Sequence, residues 1–392
     1  MASGFSTSLS GISSAFSRQD VTADNLSNLN TDGFKQRQVQ QSTSEAGGSR
    51  IESVSASQQQ GPLVPTGREQ DVAIEGSGFF AVQKQGQTVY TRSGSFDLDA
   101  DGNLVNTVTG GSVKGFSPGD TGGTAQPLTV QDSERTLEPE ATDSVRFGGN
   151  ISSDLSEGES TTLAFDVTDS QGTARTINLT LEKSSPNTVE FTATDPSNSR
   201  TALNGQLQFD SQGRLASKTV SESPNAPDGF KGLYLSGNGA NPVKASADNL
   251  DFSAVTQQAG ETSFNATDVS GRQSGQLRNV SVTDDGTVRG QYSNGETRSL
   301  GTVALASFSN PSGLQSDGNS LFSASSNSGE AQLGVPGSGP RGSLQQGVLE
   351  ASNVDMSDQL TEMLVNQNTA EANIDALKVQ DEMMGSLLDM TG

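Results

Sequence analysis

The sequence contains no cysteine, no histidine and no tryptophan. Without cysteine there is no disulfide, no thiolate nucleophile and no cysteine-ligated zinc. Without histidine there is no Ser-His-Asp triad, no Cys-His pair and no imidazole-bound metal. Basic charge is also scarce. Lys and Arg number 23 against 46 Asp and Glu, a formal net charge of −23 and a pI near 4.2. Phosphate recognition needs clustered cations, so this balance argues against nucleic acid and anionic membrane surfaces as partners. No stretch approaches the roughly 20 apolar residues of a membrane span. The opening MASGFSTSLSGISSAF lacks both a basic n-region and a continuous apolar h-region, so it does not read as a secretory signal peptide. Hydrophobic residues make up only 30% of 392, with 45 Gly and few aromatics. That composition supports small cores in two or three domains rather than one large core.

What is present is helix at both ends and strand between. Phe5, Leu9, Ile12 and Phe16 recur at helical spacing on one face, and Ala23, Leu26 and Leu29 carry the stripe on. Asn30, Thr31 and Asp32 break it. Gly33 supplies a helix-stop conformation, Phe34 can fold back, and Lys35 can sit near the negative helix end. Serine surrounds the stripe, so this helix is marginal alone and needs a partner. The C-terminal segment from Asn353 provides a second helix, with Ser357 or Asp358 as its cap. Met363, Ala370, Leu377 and Met384 form one heptad row. Leu360, Gln367, Ile374, Asp381 and Leu388 form the other, a coiled-coil seam with two polar interruptions.

Between the helices, alternating runs are separated by Gly turns, as in DVAIEGSGFFAVQ from Asp71, TTLAFDVTDSQGTARTINLTLEK from Thr161, and NVSVTDDGTVRGQYSNGETRSL from Asn279. Gln36 to Gln60 is Gln- and Ser-rich and reads as linker, as do the Gly/Pro/Ser stretches near Ser117 and Ser326. Two motifs mimic sites. Asp97, Asp99, Asp101 and Gly102 fit the start of a calcium loop, but Val108 stands at the twelfth position where a bidentate Glu belongs, so an Asp-rich turn is the better reading. GVPGSGPRGS from Gly334 lacks the G-K-[ST] ending of a phosphate loop. Paired carboxylates alone, with no Trp and few aromatics for sugar stacking, make a poor case for a glycosidase. No catalytic residue, cofactor, metal or small-molecule substrate is expected.

Taken together, several stretches resemble a known family. DNLSNLNTDGFK, with Asn25, Asn28, Thr31, Gly33, Phe34 and Lys35, resembles the N-terminal signature of the bacterial flagellar rod, hook and hook-junction proteins. TGREQDVAIEGSGFFAV and VYTRSGSFDLDADGNLVN resemble the segment that follows it in the rod and hook members. GVLEASNVDMSDQLTEMLVNQNTAEANIDAL, with Glu350, Ser352, Asn353, Val354 and Asp355, resembles the C-terminal signature. The inserted β-rich region resembles the hook branch rather than the shorter distal rod proteins.

The resemblance implies a mainly β fold with terminal α-helices, nested discontinuous β domains, and N- and C-terminal helices pairing as a coiled coil. It implies residues 1–34 with 354–392 as the terminal coiled-coil domain and 35–70 as a polar linker. Residues 71–147 with 280–353 would then be an inner β domain and 148–279 an inserted outer one. Phe5, Leu9, Ile12, Phe16, Leu26, Leu360, Met363, Ile374, Leu377, Met384 and Leu388 would form the self-assembly seam. The function implied is structural, not enzymatic: a subunit that polymerises with itself into a flexible helical tube and carries torque from rod to filament. Implied partners are the distal rod, hook cap and hook-filament junction proteins and the flagellar type III export apparatus. The implied place is outside the cell, in the flagellar hook and basal body. A rod or junction protein of the same family and an exported β-rich adhesin are the alternatives.

Overall fold

In the computed structural model, residues 2–43, 48–120, 122–196, 200–221, 232–235 and 243–391 are described. Helix α1 (Ala2–Ser27) opens the chain, a single turn α2 (Asp132–Arg135) lies within it, and helix α3 (Met356–Thr391) closes it. The remainder is mainly strand. Neither terminal helix has a basic residue in its last turn, and α1 has no acidic one in its first. Packing of the two helices on each other supplies what local propensity does not. The cap of α3 is Asp355, whose Oδ1 accepts the N–H groups of Ser357 (2.7 Å) and Asp358 (3.2 Å). Ser357 and Asp358, expected as caps, already lie inside the first turn because the helix begins at Met356.

The polar stretch read as linker contains an antiparallel strand pair, β1 (Arg37–Thr43) with β2 (Ser49–Ala56), running from Arg37↔Ala56 to Thr43↔Ser49 with a register shift between Gln40 and Gln41. It lacks the usual apolar alternation because the surface it meets is polar. Ser14 Oγ on α1 donates to the Ser49 carbonyl (3.1 Å), and Ser49 Oγ donates to Ser14 Oγ (2.9 Å).

The chain divides into two compact units. The first comprises Met1–Glu134, Arg278–Gln291 and Thr297–Gly392. Its largest sheet runs through the strands Thr297–Val303, Ser112–Phe116, Phe79–Lys84, Gln87–Thr91, Leu321–Ser323 and Gln315–Gly318. Phe80 meets Phe96 edge-on at 5.0 Å and Phe79 meets Phe322 at 5.6 Å, so a few aromatics do much of the packing. Two short strand pairs tie the helices' roots to this sheet region: Val72–Glu75 with Ser343–Gln346, and Leu63–Pro65 with Val348–Glu350.

The second unit comprises Arg135–Leu277 and Tyr292–Glu296. A five-stranded antiparallel meander, Ser160–Thr168 through Leu215–Val220 in chain order, and a three-stranded sheet centred on Val145–Ser152 share one core. Phe147 stacks on Phe252 at 4.5 Å and on Phe264 at 5.5 Å within it. The Gly turns expected between the alternating runs use Asp side chains as backbone acceptors. Asp169 Oδ1 accepts the N–H of Gln171 and Thr173, and Asp210 Oδ1 those of Gln212 and Arg214. Asp99 likewise accepts Asn103 N–H (2.7 Å) and Asn103 Nδ2 (2.9 Å) in the calcium-like stretch, which is a hairpin turn between Phe96–Leu98 and Leu104–Asn106.

Candidate self-assembly site

At the foot of α1, Asn25 and Asn28 of the DNLSNLNTDGFK stretch bond to their surroundings. Asn25 is buried. Its Nδ2 donates to the Arg37 carbonyl (2.9 Å) and to Gln359 Oε1 on α3 (2.9 Å), while its Oδ1 accepts Arg37 N–H (2.8 Å). One side chain thus joins α1, β1 and α3. Asn28 Nδ2 bonds back to Asp24, and its Oδ1 accepts from Thr31 Oγ1. Gly33 takes φ +69° and donates its N–H to the Glu350 carbonyl at 2.6 Å. A Cβ there would lie 2.4 Å from the Ser93 nitrogen, so no other residue fits without backbone movement. Phe34 is buried against this turn.

The turn delivers Lys35 away from the α1 terminus, where the sequence had placed it, into a closed ionic site. Lys35 Nζ lies 2.5 Å from Glu350 Oε1 and 2.6 Å from the Gln59 carbonyl. Gly61 N–H donates to the same Glu350 oxygen, and Arg92 Nη1 approaches Glu350 Oε2 at 3.5 Å. Arg92 also donates to the Gly76 carbonyl and lies over the Phe79 ring. All three charged side chains are buried. Burial pulls the Lys35 ammonium below its ordinary range; Glu350 opposes that and Arg92 adds to it. Burial does the same to Arg92, with Glu350 again opposing. Asn353 completes the clamp by accepting Gln36 N–H (2.6 Å) and donating to the Gln59 carbonyl (2.9 Å). Ser352 and Val354 are buried on either side of it. The signature residues at the two ends of the sequence therefore meet in one place. Arg92 belongs to the same clamp and lies in the VYTRSGSFDLDADGNLVN stretch without having been singled out, while Gln59 and Gly61 carry no motif.

Above the clamp, α1 and α3 pack antiparallel through small and polar groups. Asn25 bonds Gln359, a Cβ on Gly11 would lie 2.7 Å from Asn373 Oδ1, and one on Gly4 would lie 3.1 Å from Gln380 Nε2. Ser8, Ala15 and Thr22 are buried on α1; Gln359, Asn366 and Ala370 are buried on α3. The row of α3 facing α1 is Gln359, Asn366, Asn373 and Gln380, four amides at heptad spacing. It lies one position before the row Leu360, Gln367, Ile374, Asp381 and Leu388. The physical reason is close approach. Gly4 and Gly11 bring the backbones together, and an amide can bond across a gap too narrow and too polar for Leu. The seven-residue spacing of these amides is visible in the sequence to a search for polar as well as apolar periodicity.

Comparison with known proteins places these features. Residues 5–35 match the family described as flagella basal body rod protein, and residues 73–145 the flagellar hook protein FlgE/F/G D1 domain. Residues 150–271 match the flagellar basal body protein FlaE D2 domain, and 345–390 the C-terminal part of the flagellar basal body rod FlgEFG proteins. The flagellar hook protein FlgE of Escherichia coli (strain K12) is 32% identical over 402 residues, spanning 98% of this chain and 99% of that one. The chain belongs to the flagellar hook protein family. The hook protein FlgE of Borreliella burgdorferi is 29% identical over 97% of both chains. A crystal structure of Helicobacter pylori flagellar hook protein FlgE2 is similar over 74% of this chain and all of that one, at 15% identity and a TM-score of 0.47.

In this hook-family chain the apolar side chains expected at a seam lie largely outside the α1–α3 contact. Phe5, Leu9, Phe16, Leu360 and Met384 are exposed. Ile12, Leu26, Met363, Ile374 and Leu377 are half-buried. The side chain of Leu388 lies outside the described residues. Among the described residues, every exposed large apolar side chain except Val54, Val64 and Val108 belongs to α1 or α3.

Proposed function

We propose that this chain is the structural subunit of the flagellar hook, polymerising through its terminal helices into a flexible helical tube that carries torque from rod to filament. The observation that carries the reading is the concentration of exposed apolar side chains on α1 and α3 in an acidic chain with few such groups elsewhere. An exposed patch of this kind is an association surface. Phe5, Leu9, Ile12, Phe16 and Leu26, with Leu360, Met363, Ile374, Leu377, Met384 and Leu388, are the residues assigned to contacts in the polymer. Residues 1–34 with 354–392 then form the inner coiled-coil domain, 71–147 with 280–353 an inner β domain, and 148–279 the outer one. The partners in this reading are further copies, the distal rod, the hook cap and junction proteins, and the flagellar type III export apparatus. The location in this reading is extracellular, in the flagellar hook and basal body. Full relatives of hook type at about a third identity support the hook over a rod or junction role.

Electron microscopy of basal bodies from a strain deleted for the gene tests it. Rods without hooks or filaments, and curved hooks on restoring the gene, are the expected result. Normal hooks in the deletion strain would sink the reading.

A further inference from the structure

Beside the clamp, α1, β1 and the first turns of α3 enclose a cleft of about 450 Å³ that the intrachain packing leaves open. Its apolar wall is Val21, Val39 and Val365, and its polar wall includes Arg18, Arg37 and Asn366. Arg37 is already paired with Asp24 at 2.8 Å. Arg18 is half-buried, has no ion pair among the described residues, and its Nε has no acceptor there. Glu362 also lines the cleft but is exposed to water. The half-buried Arg18 side chain, unpaired beside an apolar wall, suits a carboxylate with a flexible apolar neighbour.

The chain carries such a group at the far end of the same helix pair. Past Gln380, which faces Gly4, α3 continues through Asp381, Glu382, Met383 and Met384 to Thr391. These four side chains are exposed, and Met390 is 83% exposed. Methionine fills irregular clefts well. Val365 and Met383 are separated by about 27 Å along one helix at 1.5 Å per residue, so the chain cannot bring its own tail into its own cleft.

Building on the hook reading, we propose that the cleft receives the last turns of α3 from a second copy, with the partner subunit's Glu382 on Arg18 and the partner's Met383 against the valine wall. Cleft and tail are different surfaces, so the contact is head-to-tail. Repetition of such a contact makes an open helical array rather than a closed dimer.

The native chain has no cysteine, which makes the test clean. Hooks are isolated from cells carrying Val365→Cys together with Met383→Cys and are then oxidised. These positions are too far apart on one helix to bond within a chain, so any disulfide joins copies. A ladder of covalent multimers is expected from the double variant and monomer from each single variant. Hooks that form normally and give no ladder overturn the proposal and leave the hook reading intact. A deletion strain that builds normal hooks fails the hook reading instead.

A charge exchange decides the matter even where the cysteine variant does not assemble. Arg18→Glu and Glu382→Arg, each alone, are expected to cut hook number about tenfold, and together to restore it to within about threefold. Hook number unchanged in the single variants, or no recovery in the exchange, overturns the proposal.

Discussion

At the scale of single residues, the clamp around Glu350 sets the strongest demand. One carboxylate stands against two buried cations, Lys35 and Arg92, with Gly61 N–H as a further donor. Removing one member of a buried charge cluster strands the others, which costs far more than the cluster contributes as a whole. Glu350→Gln is therefore expected to destabilise the chain by about 3–5 kcal/mol, read as a lower midpoint in guanidinium unfolding. Adding Lys35→Met should recover part of that loss, and a midpoint that does not recover would mean Glu350 acts through something other than charge. Asp32, in the same turn, works the other way. Its carboxyl is pushed above the ordinary value of 3.8, by burial first and by Asp71 second. A folded-state pKa above the unfolded one means the folded state holds the proton more tightly. The cost of ionised Asp32 is thus absent below pH 3.8 and fully present above the folded-state pKa. Asp32→Asn should raise Tm at pH 7, with the gain shrinking to nothing as pH falls through the acid range to 3.8. A gain that persists at pH 3 would point to turn propensity rather than charge.

At the scale of elements, the α1–α3 pair shows what polar heptad positions do. Apolar residues at the facing row would make the pair strong by itself. Gln359, Asn366, Asn373 and Gln380 make it weak and register-specific, with Gly4 and Gly11 allowing the approach. Pairing then depends on covering the apolar outer faces, which only further copies provide in the hook reading. Asn366→Leu with Gln380→Leu should therefore raise the helicity of the free monomer in far-UV circular dichroism. Gly11→Leu should hold the helices apart and abolish tube formation while leaving the β regions folded. Unchanged helicity in the double Leu variant would show that the amides do not limit pairing. Much of this element was legible in the sequence. The helices and the Gly33 stop follow from periodicity and turn chemistry. The partner row was not legible from hydrophobicity, because amides facing glycine carry no apolar signal. The strand pair β1–β2 was hidden for the same reason: Gln and Ser strands against a serine-rich helix have no greasy face to alternate.

At the scale of the whole molecule, the second unit carries its own core, and its main segment begins and ends in neighbouring strands. Thr136 and Leu137 pair with Gln276 and Gly275, so the strand that enters and the strand that leaves are hydrogen-bonded neighbours. The core built from Phe147, Phe191, Phe252 and Ile177 draws every member from residues 145–264. An insertion closed at its base in this way can be lost without pulling on the remainder, because loop-closure entropy is already met by the paired ends. Replacing residues 138–274 by Asn-Gly puts a two-residue hairpin turn between Leu137 and Gly275, which are directly opposed in the antiparallel pair. The shortened chain is expected to keep a cooperative thermal transition. The fragment 135–277 is expected to melt cooperatively by itself. Circular dichroism melts of both proteins check this. A fragment without a sharp transition would mean that its core depends on the first unit, and the nested-domain account would have to give way to a single folding unit. If both fold and the shortened chain still polymerises, assembly resides in the terminal helices, as their exposed Phe5, Leu9, Phe16 and Met383 require.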